Sequence, residues 1–178
     1  DYQGKTRNQE LALQLKIDDE LNTALKEMAT DKESLAQAEA ELEGLAEKAL
    51  GANGLTNEDV DIVLYNEEDG NMGGHKDGKI YINLAYQDGK KETMMEVMGD
   101  ELSHYVDYKN GNIRSELESN NSETDVSRQY GNNAAKQTAG YVGDETFTNS
   151  ETFKDQLANL DFSAVNQEVS VIEDMDKR

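Results

Sequence analysis

The sequence predicts an α+β fold in which an N-terminal helical hairpin packs on a small β-sheet and is followed by a polar-faced helix and short C-terminal helices. Apolar residues recur every three or four positions over residues 8–54, and short alternating segments flank a glycine-rich stretch over 59–86. A helical pattern returns over 91–109. Separate runs of helix and strand are typical of the α+β class. The 178 residues suit one domain, 1–178.

Two helices are predicted within residues 1–54, and together they form the hairpin. The first covers the stretch "NQELALQLKIDDELNTALKEMA", whose apolar stripe consists of Leu11, Leu15, Leu21, Leu25 and Met28. The second is predicted to begin with a capping box of Thr30 and Glu33 and to end at Gly51 or Gly54. The many Glu and Lys residues of the hairpin favour a solvated face, with a partner-binding face as the alternative.

Residues 55–112 are predicted to contain two strands followed by the third helix. The strands lie in "DVDIVLYN" and "GKIYINLAY", where apolar residues alternate with others. The stretch between them, "DGNMGGHKDG", is interpreted as a hairpin turn, because its acidic positions do not match those of a calcium loop. His75 lies in this predicted turn, and we expect it to be a surface residue rather than a ligand.

The third helix is predicted over 91–109, with Gly111 as its stop signal. The following residues, 113–168, are polar, and they indicate short helices at 123–130, 132–140 and 150–160. The tail, 169–178, offers few apolar side chains and is predicted to fray.

The composition excludes several classes of partner. Lys and Arg total 17 against 38 Asp and Glu, which gives a formal net charge of -21. Such a charge opposes binding to nucleic acids and anionic lipid surfaces. The chain has no Cys, so any metal must be held by His, Asp or Glu. No apolar run is long enough for a signal peptide or a membrane span, and we expect a soluble piece of a larger protein.

The third helix contains the sequence "GDELSHYVD", at residues 99–107, and this carries the most specific chemistry. Asp100, His104 and Asp107 share one helix face, and Glu101 lies at the edge of that face. In zinc peptidases, two ligands one turn apart hold the metal, and a Glu beside the first ligand takes a proton from the bound water. Here Asp100 stands where those enzymes have the first His.

A carboxylate in place of an imidazole gives a harder ligand, so the site is expected to hold zinc or another divalent metal such as manganese or calcium, or none. Glu123 is the best-placed candidate for a third ligand, with Asp107 and Asp125 as alternatives. A helix of such an acidic chain also carries Asp and Glu beside a His by chance, in which case Glu101 and His104 are only hydrogen-bonded.

The order of "DGKIYIN", "EVMGDELSHYVDYKNG" and "VSRQYGNNAAKQTAGYVGDE" resembles a zincin-like module of bacterial two-partner-secreted proteins of the haemagglutinin and contact-dependent growth inhibition type. The resemblance spans about residues 1–168 and is most specific over 74–145. It implies a pretoxin or translocation module that helps deliver a toxin into a neighbouring cell. It also implies a secreted or cell-surface location within a larger bacterial protein.

The implied partners are the rest of the parent toxin and a protein of the target-cell envelope or inner membrane, with no nucleic acid. The alternative function is an active metal-dependent peptidase, with Asp100, His104 and Glu123 as ligands and Glu101 as general base. For that enzyme, "KIYINLAY" is expected to be the edge strand, and an open coordination position is expected to face Tyr81 and Asn83.

Overall fold

A computed structural model of the protein describes residues 14, 15, 17–110, 136, 138, 145–171 and 176–177. The expected α+β fold is confirmed: these residues include five α-helices and a small sheet, with the N-terminal helical pair packed against the sheet and short helices after the third helix. None of the helices in these ranges is both long and apolar enough to cross a membrane.

The helical hairpin consists of α1 (Asp19–Glu27) and α2 (Lys32–Ala52). Asp18 is the N-cap of α1, and its Oδ1 accepts a hydrogen bond of 2.8 Å from the backbone N–H of Leu21. A continuous first helix is therefore wrong in the part the structure describes, because Ile17 and Asp18 are not helical. The side chain of Asp18 competes for backbone donors and starts a new helix instead.

Helix α2 begins one residue later than the predicted capping box requires. Asp31 is its N-cap, and Asp31 Oδ1 accepts a hydrogen bond of 2.7 Å from the N–H of Ser34. Thr30 instead donates its hydroxyl to the carbonyl of Glu27, at the end of α1. The predicted Thr30 cap is wrong because Asp31, an equally good capping residue, directly follows it. The helix ends at Ala52, and Gly54 follows with a φ of 83°.

The sheet has the order β1-β3-β2-β4. Its strands are β1 (Asp61–Tyr65), β2 (Asn71–Lys76), β3 (Lys79–Asn83) and β4 (Asp176–Lys177). Strand β3 pairs in parallel with β1 and antiparallel with β2, so it is an interior strand. Both predicted strands are present, but the expectation that "KIYINLAY" forms the sheet edge is wrong. The two-residue β4 pairs antiparallel with β2 on the far side.

The glycine-rich stretch between the predicted strands is mostly β2 rather than a turn. The turn between β2 and β3 is formed by Asp77 and Gly78, with φ values of 51° and 88°. An Asp-Gly pair with two positive φ angles is a preferred two-residue hairpin connection. Strand β2 can therefore end directly before it, and β3 can begin directly after it. The prediction that His75 is a surface residue is therefore wrong, since it lies on β2 and is 1% exposed.

The third helix, α3 (Lys91–Lys109), has the predicted bounds and lies against β2. Its predicted apolar residues are all buried: Met94, Met98, Leu102 and Tyr105. A Cβ built on Gly73 of β2 would lie 3.2 Å from a methyl group of Val97 and 2.5 Å from the carbonyl oxygen of Tyr81. Gly73 therefore allows the close approach of α3 to the sheet.

The main core lies between the sheet and helices α1, α2 and α3. A smaller cluster of Tyr65, Tyr81 and Val169 covers the other sheet face. Here α5 (Ser163–Ser170) is held by Glu168, which accepts hydrogen bonds from Lys79 at 2.7 Å and from the Tyr81 hydroxyl at 3.0 Å.

The predicted C-terminal helices are matched in part. The helix predicted over 150–160 is α4 (Ser150–Leu157), whereas α5 was not predicted. The helix at 123–130 lies outside the described residues, and 136 and 138 are helical within the predicted 132–140. In the tail predicted to fray, 169–178, the first two residues belong to α5 and Asp176–Lys177 pair with β2.

Candidate metal centre

Helix α3 brings three of the predicted site residues together. One side-chain ligand atom from each of Asp100, Glu101 and His104 lies within 4.8 Å of the other two. The i and i+4 positions place Asp100 and His104 one turn apart on the same face, and Glu101 points to the neighbouring side. We call these three residues the α3 triad. It is the only such cluster of His, Asp and Glu in the described part of the chain.

The polar face of α3 is as buried as its apolar face. Asp100 is 6% exposed, and Glu101 and His104 are 0% and 1% exposed. Burying ionisable groups costs free energy unless each is paired, hydrogen-bonded or bound to a metal. Two carboxylates and one imidazole are a donor set that divalent metals accept.

The distance between Asp100 and His104 suits a shared metal. Asp100 Oδ1 and His104 Nε2 are 3.8 Å apart, which is longer than a hydrogen bond. Two ligands about 2.0–2.1 Å from one tetrahedral zinc lie roughly 3.4 Å apart, so small side-chain shifts would suffice. The second carboxylate oxygen, Asp100 Oδ2, is buried and accepts no hydrogen bond from any described residue.

The same distance also fits a second arrangement, in which His104 is protonated and forms an ion pair with Asp100. In that case the triad is a structural cluster without a metal, which agrees with the alternative from the sequence that His104 has only a structural role. The two arrangements differ in whether a metal binds with a defined stoichiometry.

The predicted third ligand lies outside the described residues, as does its alternative: Glu123 and Asp125 both fall within 111–135. Asp107 is described and is 2% exposed on the same helix, but it is not part of the triad. The third ligand therefore stays a prediction.

His75 does not join the triad, although it is buried on the strand that α3 packs against. Its ring centroid lies 6.0 Å from that of Tyr105 and 5.2 Å from that of Tyr108. His75 Nε2 accepts a hydrogen bond of 3.0 Å from the N–H of Gly78. This aromatic contact packs the β2–β3 hairpin against α3. No local pattern in the sequence indicated the burial of His75, because the two glycines before it carry no side chains that could show alternation.

Tyr81 and Asn83 were expected to face an open coordination position, but their side chains bond to other parts of the protein. Tyr81 lies on the sheet face that α5 covers, where it bonds to Glu168. The Asn83 side chain is fully buried, and it contacts backbone groups of Glu67, Asn71 and Ala85. This expectation is wrong because both side chains make these other contacts, and β2 is the strand that packs against α3.

Comparison of the chain with models of protein families, with curated proteins and with solved structures gives no match. The fold and the triad define an α+β domain with a buried carboxylate and imidazole cluster on one helix. Its function must be argued from the chemistry of that cluster and from the sequence motif.

Proposed function

We propose that the chain is a metallopeptidase-like domain in which Asp100 and His104 hold a divalent metal and Glu101 acts as general base. The observation that carries the proposal is the burial of the α3 triad within 4.8 Å, in the spacing Asp-Glu-x-x-His. Glu123 is the proposed third protein ligand. The carboxylate of Asp100 favours a harder ion than zinc, such as manganese.

Each residue of the triad has a defined task in this proposal. A metal held by Asp100 and His104 would supply the Lewis acidity that makes a water molecule acidic near neutral pH. The Glu101 carboxylate takes a proton from that water as its oxygen forms a bond to the peptide carbonyl carbon. When the carbon–nitrogen bond breaks, Glu101 gives the proton to the leaving nitrogen. Burial of the triad strengthens these electrostatic interactions.

Glu101→Gln tests the hydrolytic role, because it keeps the size of the side chain and removes the base. We expect this variant to bind manganese as the wild type does and to lose at least about 10²-fold in the hydrolysis of unfolded casein. Glu96→Gln is the matched control, since Glu96 lies on the same helix outside the triad. Equal casein turnover by wild type and Glu101→Gln would contradict the proposal.

We propose toxin delivery as the second candidate function, and its support is the resemblance of the sequence motifs within residues 74–145 to two-partner-secreted competition proteins. In this proposal the domain forms part of a larger secreted or surface protein. It acts on an envelope or inner-membrane protein of the target cell. Delivery needs the fold of the domain and does not need turnover at the triad.

A deletion in the parent toxin tests delivery. If residues 1–178 serve delivery, their removal abolishes killing of target cells while the toxin remains active when expressed inside them. Unchanged killing would contradict the role. Glu101→Gln in the same parent separates the two functions, because killing survives this variant if the domain is a scaffold and fails if hydrolysis is needed.

A further inference from the structure

A second site is suggested by a cleft between the segment after β3 and the start of α4. Its volume is about 540 Å³, within the range of small-molecule sites, and it shares no residue with the α3 triad. The polar residues that line it are Glu68, Tyr86, Gln87, Asp88, Ser150 and Lys154.

Gln87 is the most buried residue of this cleft and is 1% exposed. Neither its Oε1 nor its Nε2 has a hydrogen-bond partner among the described residues. Leaving both ends of a buried carboxamide unpaired is costly, and such groups are rare in folded proteins. A ligand that brings one donor and one acceptor to Gln87 would remove this cost.

The walls of the cleft are held in place before any ligand binds. In one wall, the Asn83 side chain links the segment before β2 to the segment after β3. It accepts hydrogen bonds from the N–H groups of Glu67 and Ala85 and donates one to the carbonyl of Asn71. The Tyr86 hydroxyl also accepts a hydrogen bond of 2.7 Å from the N–H of Gly70. This wall is therefore a fixed loop pair rather than a loose surface turn.

The other wall is fixed by close backbone contact. The carbonyl of Gly89 accepts a hydrogen bond of 2.8 Å from the N–H of Phe147. A Cβ on Gly89 would lie 2.2 Å from the carbonyl oxygen of Thr148, and Gly89 has a φ of 83°. Only glycine allows this approach, which places the start of α4 beside Gln87.

The charges of the cleft have both signs. Glu68 and Asp88 supply carboxylates, and Lys154 supplies an ammonium group from the last turn of α4. No ion pair joins these three side chains to one another or to other described residues. A ligand with an ammonium group, an amide and a carboxylate would match the acidic residues, Gln87 and Lys154 in turn.

From these features we propose that the cleft binds small zwitterions of dipeptide size, with the peptide amide hydrogen-bonded to Gln87. Both amide atoms of Gln87 are closed to solvent, so binding includes a rotation of this side chain. The proposal does not rest on metal binding or hydrolysis at α3.

Titration calorimetry of the whole chain with the dipeptide alanyl-alanine tests the site. We expect a dissociation constant on the order of 1 mM for a ligand of this size. Gln87→Leu and Lys154→Gln should each weaken binding about tenfold, and Lys48→Gln, a change of an exposed lysine on α2, should leave it unchanged. The N-acetyl and amide forms of the dipeptide should also bind about tenfold more weakly.

Gln87→Leu is expected to remain folded, because it removes an unpaired amide and keeps the volume similar. Lys154→Gln changes an exposed residue and gives a second test that does not depend on the core. Glu101→Gln should bind the dipeptide as the wild type does, which separates this cleft from the α3 triad. If alanyl-alanine does not bind at about 10 mM, or binds Gln87→Leu and wild type equally, the cleft holds only water and the proposal is wrong.

Discussion

Asp100 is the residue that decides which ion the α3 triad can hold. An imidazole at this position would give the usual pair of zinc ligands, whereas the carboxylate adds a negative charge and a harder oxygen. Its Oδ2 atom is buried without a hydrogen bond from the described residues, so a bound cation would stabilise it. The position is therefore informative about function even though it departs from the peptidase pattern.

Gly73 lets β2 pack closely against both β3 and α3, and Gly73→Ala should destabilise the protein. The new Cβ would lie 2.5 Å from the carbonyl oxygen of Tyr81 and 3.2 Å from Val97, so the hairpin must move. We expect a loss of about 1–3 kcal/mol in the free energy of unfolding, measured by urea denaturation. Weaker metal binding should accompany it, because α3 carries the triad.

Gly44→Ala is the control for this prediction. Gly44 lies within α2, and no heavy atom comes within 4 Å of a Cβ built there. Alanine should raise stability by about 0.5–1 kcal/mol, since it restricts the unfolded chain and favours helix. If Gly73→Ala were as stable as Gly44→Ala, the close packing of β3 and α3 around Gly73 would be wrong.

At the scale of elements, the start of α2 gives a direct test of which residue is the cap. Asp31 accepts the hydrogen bond from Ser34, so Asp31→Ala should cost about 1 kcal/mol. Thr30→Ala removes only an exposed bond to Glu27 and should cost less than about 0.5 kcal/mol. Urea denaturation of both variants measures the difference, and the reverse order would support the capping box.

Two glutamates of α2 accept hydrogen bonds from backbone N–H groups of the edge strand β1. They should make the stability of the protein depend on pH. Glu39 and Glu43 accept hydrogen bonds of 2.8 Å and 2.9 Å from the N–H groups of Leu64 and Ile62. Burial raises the pKa of both carboxyls above the ordinary value of 4.5, against the opposite effect of these hydrogen bonds. Satisfied donors also protect this sheet edge from pairing with another chain.

Because the pKa of each carboxyl is raised on folding, its contribution to stability is fully present below pH 4.5 and is lost as the pH rises through the folded value. Stability should therefore increase as the pH falls from 7 to 4.5. Glu39→Gln keeps an acceptor for Leu64 and removes the charge, so it should reduce this increase. Urea midpoints at the two pH values measure it, and an unchanged increase in Glu39→Gln would contradict the assigned cause.

The sequence predicts the positions of helices and strands better than it predicts the contacts between them. Apolar spacing locates α3 to the residue, because Met94, Met98 and Leu102 repeat along one helix face. The same spacing misses β2, since its two central glycines carry no side chain to show alternation. Burial of His75 depends on that missed strand. The triad follows from helical geometry alone, whereas the cleft at Gln87 depends on contacts between distant segments that no local pattern shows.

At the scale of the whole molecule, the net charge of -21 attracts cations everywhere on the surface. Weak and non-stoichiometric metal binding is therefore expected of any variant. His104→Ala leaves the charge at -21, because a neutral His is replaced by a neutral residue. It changes the triad and preserves the general attraction, so it is the proper reference for specific binding.

Calorimetric titration with manganese and zinc, supported by elemental analysis, tests the metal centre most directly. We predict one ion bound per wild-type chain, a loss of this ion in His104→Ala, and a gain in zinc affinity in Asp100→His. The added imidazole lies one turn from His104 and provides the second nitrogen that zinc prefers. If wild type and His104→Ala bind these ions equally weakly, and Asp100→His gains no zinc affinity in a folded chain, the α3 triad is a structural ion pair and the metal centre is wrong.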